Sequence, residues 1–132
     1  MATILVLDDS IELLEMFEML FKLKGFGIQT ASSLNGFMKK IGEQKPDLII
    51  MDIMLGAQDG RELCKQLKSQ EATKDIPIII MSASASKLDG HKHFLADDTL
   101  EKPFALTDLL GKMNKLLVAK NNNLQRQGKV KD

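Results

Sequence analysis

The 132-residue chain is 44% hydrophobic and 27% charged, with 18 basic side chains balanced by 18 acidic ones. These proportions suit one ordinary globular domain and argue against a disordered chain, and no apolar run approaches the ~20 residues a membrane helix needs. Four of the 18 basic residues and one of the 18 acidic ones follow Val118, so the preceding body is three charges negative and offers nucleic acid no electrostatic footprint.

In chain order, Thr3–Leu7 is a continuous apolar run too short for a helix, which suits a strand covered on both faces. It meets Asp8 and Asp9 at once, without the basic start of a signal peptide, so a cytoplasmic protein is expected. A helical pattern over Ile11–Lys24 begins after Asp9, with Glu12 as its capping-box partner, and stops at Gly25. Leu13, Leu14, Phe17 and Leu20 form its inward face. Met16, Met19, Phe21 and Leu23 are apolar beyond what one face requires. Phe26–Ala31 alternates as a half-exposed edge strand does, and Leu34, Phe37, Met38 and Ile41 mark a second helix opened by Ser32 or Ser33.

Leu48–Met51 is a second buried strand, ending at Asp52; Asp59 and Glu62 open a third helix with Leu63, Cys64 and Leu67 inward. The lone cysteine cannot form an internal disulfide and is expected in the core. Pro77–Met81 is a third buried strand, ending at Ser82. Ser86–Ala96 has only Leu88, Phe94 and Leu95 to bury, so a short, mobile fourth helix is expected; His91 and His93 do not share a helix face and are read as solvent-facing. Thr99–Glu101 is a weak edge strand before Lys102-Pro103, and Leu106, Leu109, Leu110, Met113, Leu116 and Leu117 make the clearest amphipathic stripe. The alternation predicts an α/β fold: a doubly wound, five-stranded parallel sheet with strands 1, 3 and 4 central and helices on both faces, spanning residues 1–118. Residues 119–132 read as a polar, disordered tail.

Such sheets hold ligands outside the carboxyl ends of their strands, which is where Asp8, Asp9, Asp52 and Ser82 fall. Two carboxylates ~5 Å apart repel by about 3 kcal/mol at an effective dielectric near 20. A cluster of three therefore calls for a proton or a hard cation, and an incomplete shell of oxygen ligands fits Mg²⁺. Asp8-Asp9 alone would be read as strand-end and cap residues; Asp52, Ser82 and Lys102 on successive strands favour a site. Asp52, ending the most central strand, is the candidate nucleophile for a phosphoryl group. Asp9 is expected to ligate the metal directly, Asp8 through a water, with Asp52 and the main-chain carbonyl of Met54 completing the set. Lys102 supplies positive charge to phosphate oxygens and balances Asp52 in their absence, Ser82 donates a hydroxyl, and Pro103 is expected to follow a cis peptide.

Asp8-Asp9, Asp52 within Leu48-Ile-Ile-Met-Asp-Ile-Met-Leu, Asp59-Gly60, Ser82-Ala83 and Lys102-Pro103-Phe104, in this order, resemble the receiver domain of two-component response regulators, over about Thr3–Val118. The resemblance implies a flavodoxin-like strand order 2-1-3-4-5. It also implies that Asp52 takes a phosphoryl group from a histidine kinase or histidine phosphotransfer protein with Mg²⁺, and that the domain catalyses only its own phosphorylation and dephosphorylation. Three positions depart from the family pattern: Thr99 replaces an aromatic that turns inward when the hydroxyl of the Ser82 position engages phosphate. Gly56 replaces a proline, which is expected to loosen the loop after Asp52, and Leu95 replaces a small glycine.

With only a polar tail after Leu117, the sequence suggests a stand-alone domain acting through protein contacts, without nucleic acid or membrane. Part of the first helix would dock the partner's helical bundle, and the downstream protein target is unknown. A haloacid-dehalogenase-type phosphatase would want an acid two residues beyond the nucleophile, where Met54 stands. A flavin carrier would want a phosphate-cradling first turn, where Asp8-Asp9-Ser10 is acidic. The remaining alternative is a degenerate receiver acting only as an interaction module.

Overall fold

The computed structural model describes residues 1–131, with side chains over residues 1–91 and 93–122. Five parallel strands form the sheet: β1 (Thr3–Leu7), β2 (Gly27–Ala31), β3 (Leu48–Asp52), β4 (Ile78–Ser82) and β5 (Asp98–Glu101), in the spatial order β2-β1-β3-β4-β5. This is the doubly wound, flavodoxin-like arrangement expected from the sequence.

The sheet is covered on both faces, and strand parity sorts its side chains. Ile4, Val6, Leu48, Ile50, Ile79 and Met81 pack with Leu14, Phe17 and Phe21 of α1 (Ile11–Leu23) and Leu109 and Met113 of α5 (Leu106–Lys131). Leu5, Leu7, Ile49, Met51, Ile78 and Ile80 face α2 (Leu34–Glu43) and α3 (Gly60–Ser69), meeting Phe37, Leu63, Cys64 and Leu67. Two-sided burial explains why the central strands are continuous apolar runs rather than alternating ones.

Several local details differ from the sequence reading. Ser10, not Asp9, caps α1, its hydroxyl accepting the Leu13 N–H at 3.2 Å. Phe21, counted as surplus on that helix, is fully buried, while Leu13 and Leu20 are only partly covered. Ser33 caps α2 through the Gly36 N–H and Asp59 caps α3 through the Arg61 N–H. The Ser86–Ala96 region holds one helical turn, α4 (Ala85–Leu88), and a 3₁₀ turn over His91–Phe94. Leu88 and Phe94 are buried there, but Leu95 is 50% exposed. Leu95 has φ +69°, a left-handed conformation that favours glycine, so its side chain is carried outward.

Gly56 shapes a defined turn in the loop after Asp52. With φ +62° it is the first residue of a two-residue turn joining Met54–Leu55 to Gln58–Asp59 in a small antiparallel hairpin. Glycine in that place is the requirement of a type II′ turn. Helix α5 is continuous through Lys131, across the segment the sequence sets apart as a polar tail, while Asp132 and the side chains beyond Asn122 lie outside the described residues. Lys120 of this helix pairs with Asp47 at 3.3 Å, and Asp47 also accepts the Thr3 N–H that begins β1. Among the described residues no helix is long and apolar enough to cross a membrane.

Candidate functional site

Parallel pairing brings four predicted residues to one edge of the sheet. Leu7 is paired with Met51 and Asp52 with Met81, so Asp8, Asp52 and Ser82 follow one another along the carboxyl ends of β1, β3 and β4. The Lys102 N–H donates to the Ser82 carbonyl at 2.8 Å, which sets the last strand in register. The Lys102–Pro103 peptide is cis, as expected. Phe104, next in the chain, stacks on Phe17 of α1 with ring centroids 5.9 Å apart and planes at 11°. That contact ties the segment bearing Lys102 to the helix that follows Asp8.

Lys102 is the hub. Its Nζ lies 2.5 Å from Asp52 Oδ2 and 2.8 Å from Asp8 Oδ2. Asp8 is 1% exposed and Asp52 7%, so one ammonium holds two carboxylates largely removed from water. Burial alone would lower the Lys102 pKa. The hydrogen bonds to Asp52 and Asp8, with their negative charges, outweigh it and hold the ammonium above its ordinary 10.5. The second oxygen of each carboxylate is fixed by main chain: Asp8 Oδ1 accepts the Ser10 N–H and Asp52 Oδ1 the Met54 N–H, each at 2.9 Å. Ser82 is buried, and its Oγ accepts the Ser84 N–H at 3.0 Å, an arrangement that leaves its O–H proton to donate.

Asp9 stands apart. It is exposed, and among the described residues its side chain joins no hydrogen bond or ion pair with Asp8 or Asp52. Successive residues leaving a strand point to opposite sides, so Asp8 turns inward to Lys102 and Asp9 outward. Among the described residues no three acidic, histidine or cysteine side chains form a metal-holding group as they stand. What the structure assembles is a pair, Asp8 and Asp52, sharing one cation. The donor set still fits a hard divalent ion in kind: it is all oxygen, and its two buried negative charges face one positive charge.

Gly60 has a role that the sequence does not spell out. A Cβ built on it would lie 2.2 Å from the Asp52 carbonyl oxygen and 3.1 Å from Ile53 Cα, while the Gly60 N–H donates to the Ile53 carbonyl at 2.7 Å. The start of α3 is thus pressed against the main chain of the candidate nucleophile. The available signal was a glycine at the first position of a helix, where it stabilises poorly. Beside it, Asp59 is held below its ordinary 3.8 chiefly by the hydrogen bond from the Arg61 side chain, despite partial desolvation, with the charge of Lys87 adding to the effect.

Thr99, in place of the family's aromatic, is half-buried; its carbonyl accepts from Lys112 Nζ of α5. Around it Ala85, Leu88, His91, Glu101 and Lys112 line an open depression of about 410 Å³.

Comparison with known proteins agrees with this geometry. Residues 4–114 match the response regulator receiver domain family. The chain is 34% identical over 116 residues to response regulator MprA of Mycolicibacterium vanbaalenii, covering 86% of this chain and 49% of that protein. It is 35% identical over 118 residues to the phosphate regulon transcriptional regulatory protein PhoB of Pseudomonas aeruginosa, covering 87% of this chain and 51% of that one. The chain therefore spans about half the length of the curated relatives it matches. Among solved structures it is similar to a putative response regulator from Chloroflexus aurantiacus (TM-score 0.81, 28% identity, 89% of this chain and 98% of that one). It is likewise similar to the chemotaxis protein CheY4 of Vibrio cholerae (TM-score 0.78, 28% identity, 88% and 98%). Fold, edge residues and relatives together place this chain in the response regulator receiver domain family.

Proposed function

We propose that Asp52 accepts a phosphoryl group from a histidine kinase or histidine phosphotransfer protein, in a reaction that requires Mg²⁺. The observation that carries this reading is the Asp52 carboxylate, nearly buried at the end of the central strand and held 2.5 Å from Lys102 Nζ. An Asp52 carboxylate oxygen attacks phosphorus as the bond from phosphorus to the donor's histidine nitrogen breaks, and that nitrogen keeps the electron pair and takes a proton. Lys102 and the Ser82 hydroxyl oppose the charge on the transferred oxygens. Hydrolysis by water returns the carboxylate and inorganic phosphate, so the domain catalyses only its own phosphorylation and dephosphorylation. Asp52, the Met54 carbonyl, Asp8 through water, and Asp9 once its exposed side chain turned back towards them would hold the Mg²⁺, which would neutralise oxygens of donor and acceptor.

Incubation with Mg²⁺ and acetyl phosphate, followed by mass measurement, tests the reading. One phosphoryl gained, and none with Asp52→Ala or with EDTA, is the expected result. No gain in the wild type leaves only an interaction module, and turnover of many phosphate esters would mark a phosphatase.

Exchange with the partner is assigned to α1, where Ile11 is 57% exposed at the end beside the site and Met19 and Leu23, about 12 and 18 Å further along the helix, are 67% and 77% exposed, against 37% for Met16. Such apolar exposure suits the side of a helical bundle. Met19→Glu is therefore the sharper test than Met16→Glu. It is expected to slow transfer from a protein donor and to leave the acetyl phosphate reaction unchanged; equal loss in both would refute the docking role. The cytoplasm is the compartment in which such a partner would be met.

A further inference from the structure

Phosphorylation would replace the single negative charge of Asp52 by a phosphoryl group of about −2, adding one negative charge beside Asp8. Lys102 is already divided between two carboxylates.

A second cation stands nearby. Lys87, on the single turn of α4, reaches across to the hairpin that follows Asp52 and donates from Nζ to Met54 Sδ at 3.4 Å. Met54 is two residues from Asp52, and its own N–H donates to Asp52 Oδ1 at 2.9 Å. Among the described residues Lys87 enters no salt bridge. A thioether is a weak acceptor, so the ammonium can exchange it for a charged oxygen at little cost. The turn that carries Lys87 is anchored by Leu88 but weakly capped at its start. Its cap residue Ser84 makes no side-chain capping bond, and its N–H is instead donated to Ser82 Oγ at 3.0 Å.

We propose that Lys87 is a second phosphoryl-binding cation of this site, leaving Met54 Sδ for a phosphoryl oxygen when Asp52 is phosphorylated and drawing α4 towards the hairpin. The inference rests on Asp52 being the phosphoacceptor. The exchange is one of ion pairing and changes no covalent bond. It gives this chain a link between the site and α4 at a place where Thr99 has no ring to move.

The test measures phosphoryl gain from acetyl phosphate with Mg²⁺ for the wild type, Lys87→Gln and Lys87→Arg, with thermal melting as the check on folding. Lys87→Gln is expected to be about two- to five-fold slower, the scale of a solvent-accessible charge pair, and Lys87→Arg close to the wild type. In the wild type the Lys87 side-chain NMR signal should also shift on phosphorylation. Equal rates in wild type and Lys87→Gln with an unmoved Lys87 signal overturn the role of Lys87 alone. A wild type that gains no phosphoryl group overturns the assignment of Asp52, and this inference with it.

Discussion

Leu95 is a β-carbon-bearing residue at φ +69°, half exposed, where the family usually has glycine. A left-handed conformation costs a non-glycine residue about 1–2 kcal/mol, more than the roughly 0.5–1 kcal/mol that glycine's freedom in the unfolded chain subtracts. Leu95→Gly is therefore expected to raise the urea midpoint, by something near half to one kcal/mol of stability; a lower midpoint would show that the leucine contributes packing. Cys64 is the opposite case, a residue silenced by its surroundings. It is fully buried, and desolvation pushes its thiol up to about 12. Without thiolate or access it is expected to resist alkylation in the native protein and to react once urea unfolds it, as mass measurement would show.

Among the elements, α3 and the hairpin before it fix the backbone of Asp52. The Ile53 carbonyl accepts the Gly60 N–H, and the missing side chain of Gly60 lets the helix start sit against the Asp52 carbonyl. Gly60→Ala would force that contact apart, at a cost of about 1–3 kcal/mol typical of overpacking. Its phosphorylation by acetyl phosphate is expected to fall by more than the small loss of folded protein explains, because Asp52 is what moves. A variant that folds less stably yet phosphorylates normally would separate packing from positioning. At the other end of the sheet, Lys68 donates to the Ile76 carbonyl and to Asp97, which also accepts the Ile78 N–H; this network starts β4 and β5 far from the chemistry.

For the whole molecule, two titrating groups bracket the pH range over which these contacts hold. Lys102 has its pKa raised by its carboxylate partners, so its contribution is complete below 10.5 and is lost as pH rises through its higher folded value. Asp59 is lowered by Arg61, so its contribution is present above 3.8 and lost as pH falls through its folded value. Urea unfolding should show the difference between wild type and Lys102→Met shrinking as pH rises past 10.5. The difference from Arg61→Ala should shrink only on the acid side. A Lys102→Met difference that stayed unchanged through the alkaline range would remove the contribution of the ion pair.

Strand identity, the two-sided burial of β3 and β4 and the four residues Asp8, Asp52, Ser82 and Lys102 were legible in the amino-acid order, each from a local rule: an apolar run between turn signals, or a polar residue near where such a run stops. The full order of the five strands came from the family resemblance. The division of labour between neighbouring acids was not legible. Asp8 and Asp9 are equivalent as text, and only the packed sheet turns one to Lys102 and leaves the other in solvent. In the same way Gly60 against Asp52 and Lys87 against Met54 are contacts between segments that no periodicity connects. Local pattern determines which elements form, because hydrophobic period and capping act over a few residues. Which side chain meets which is decided by close packing of the sheet and helices, and in this chain that packing makes a lysine-bridged pair of aspartates.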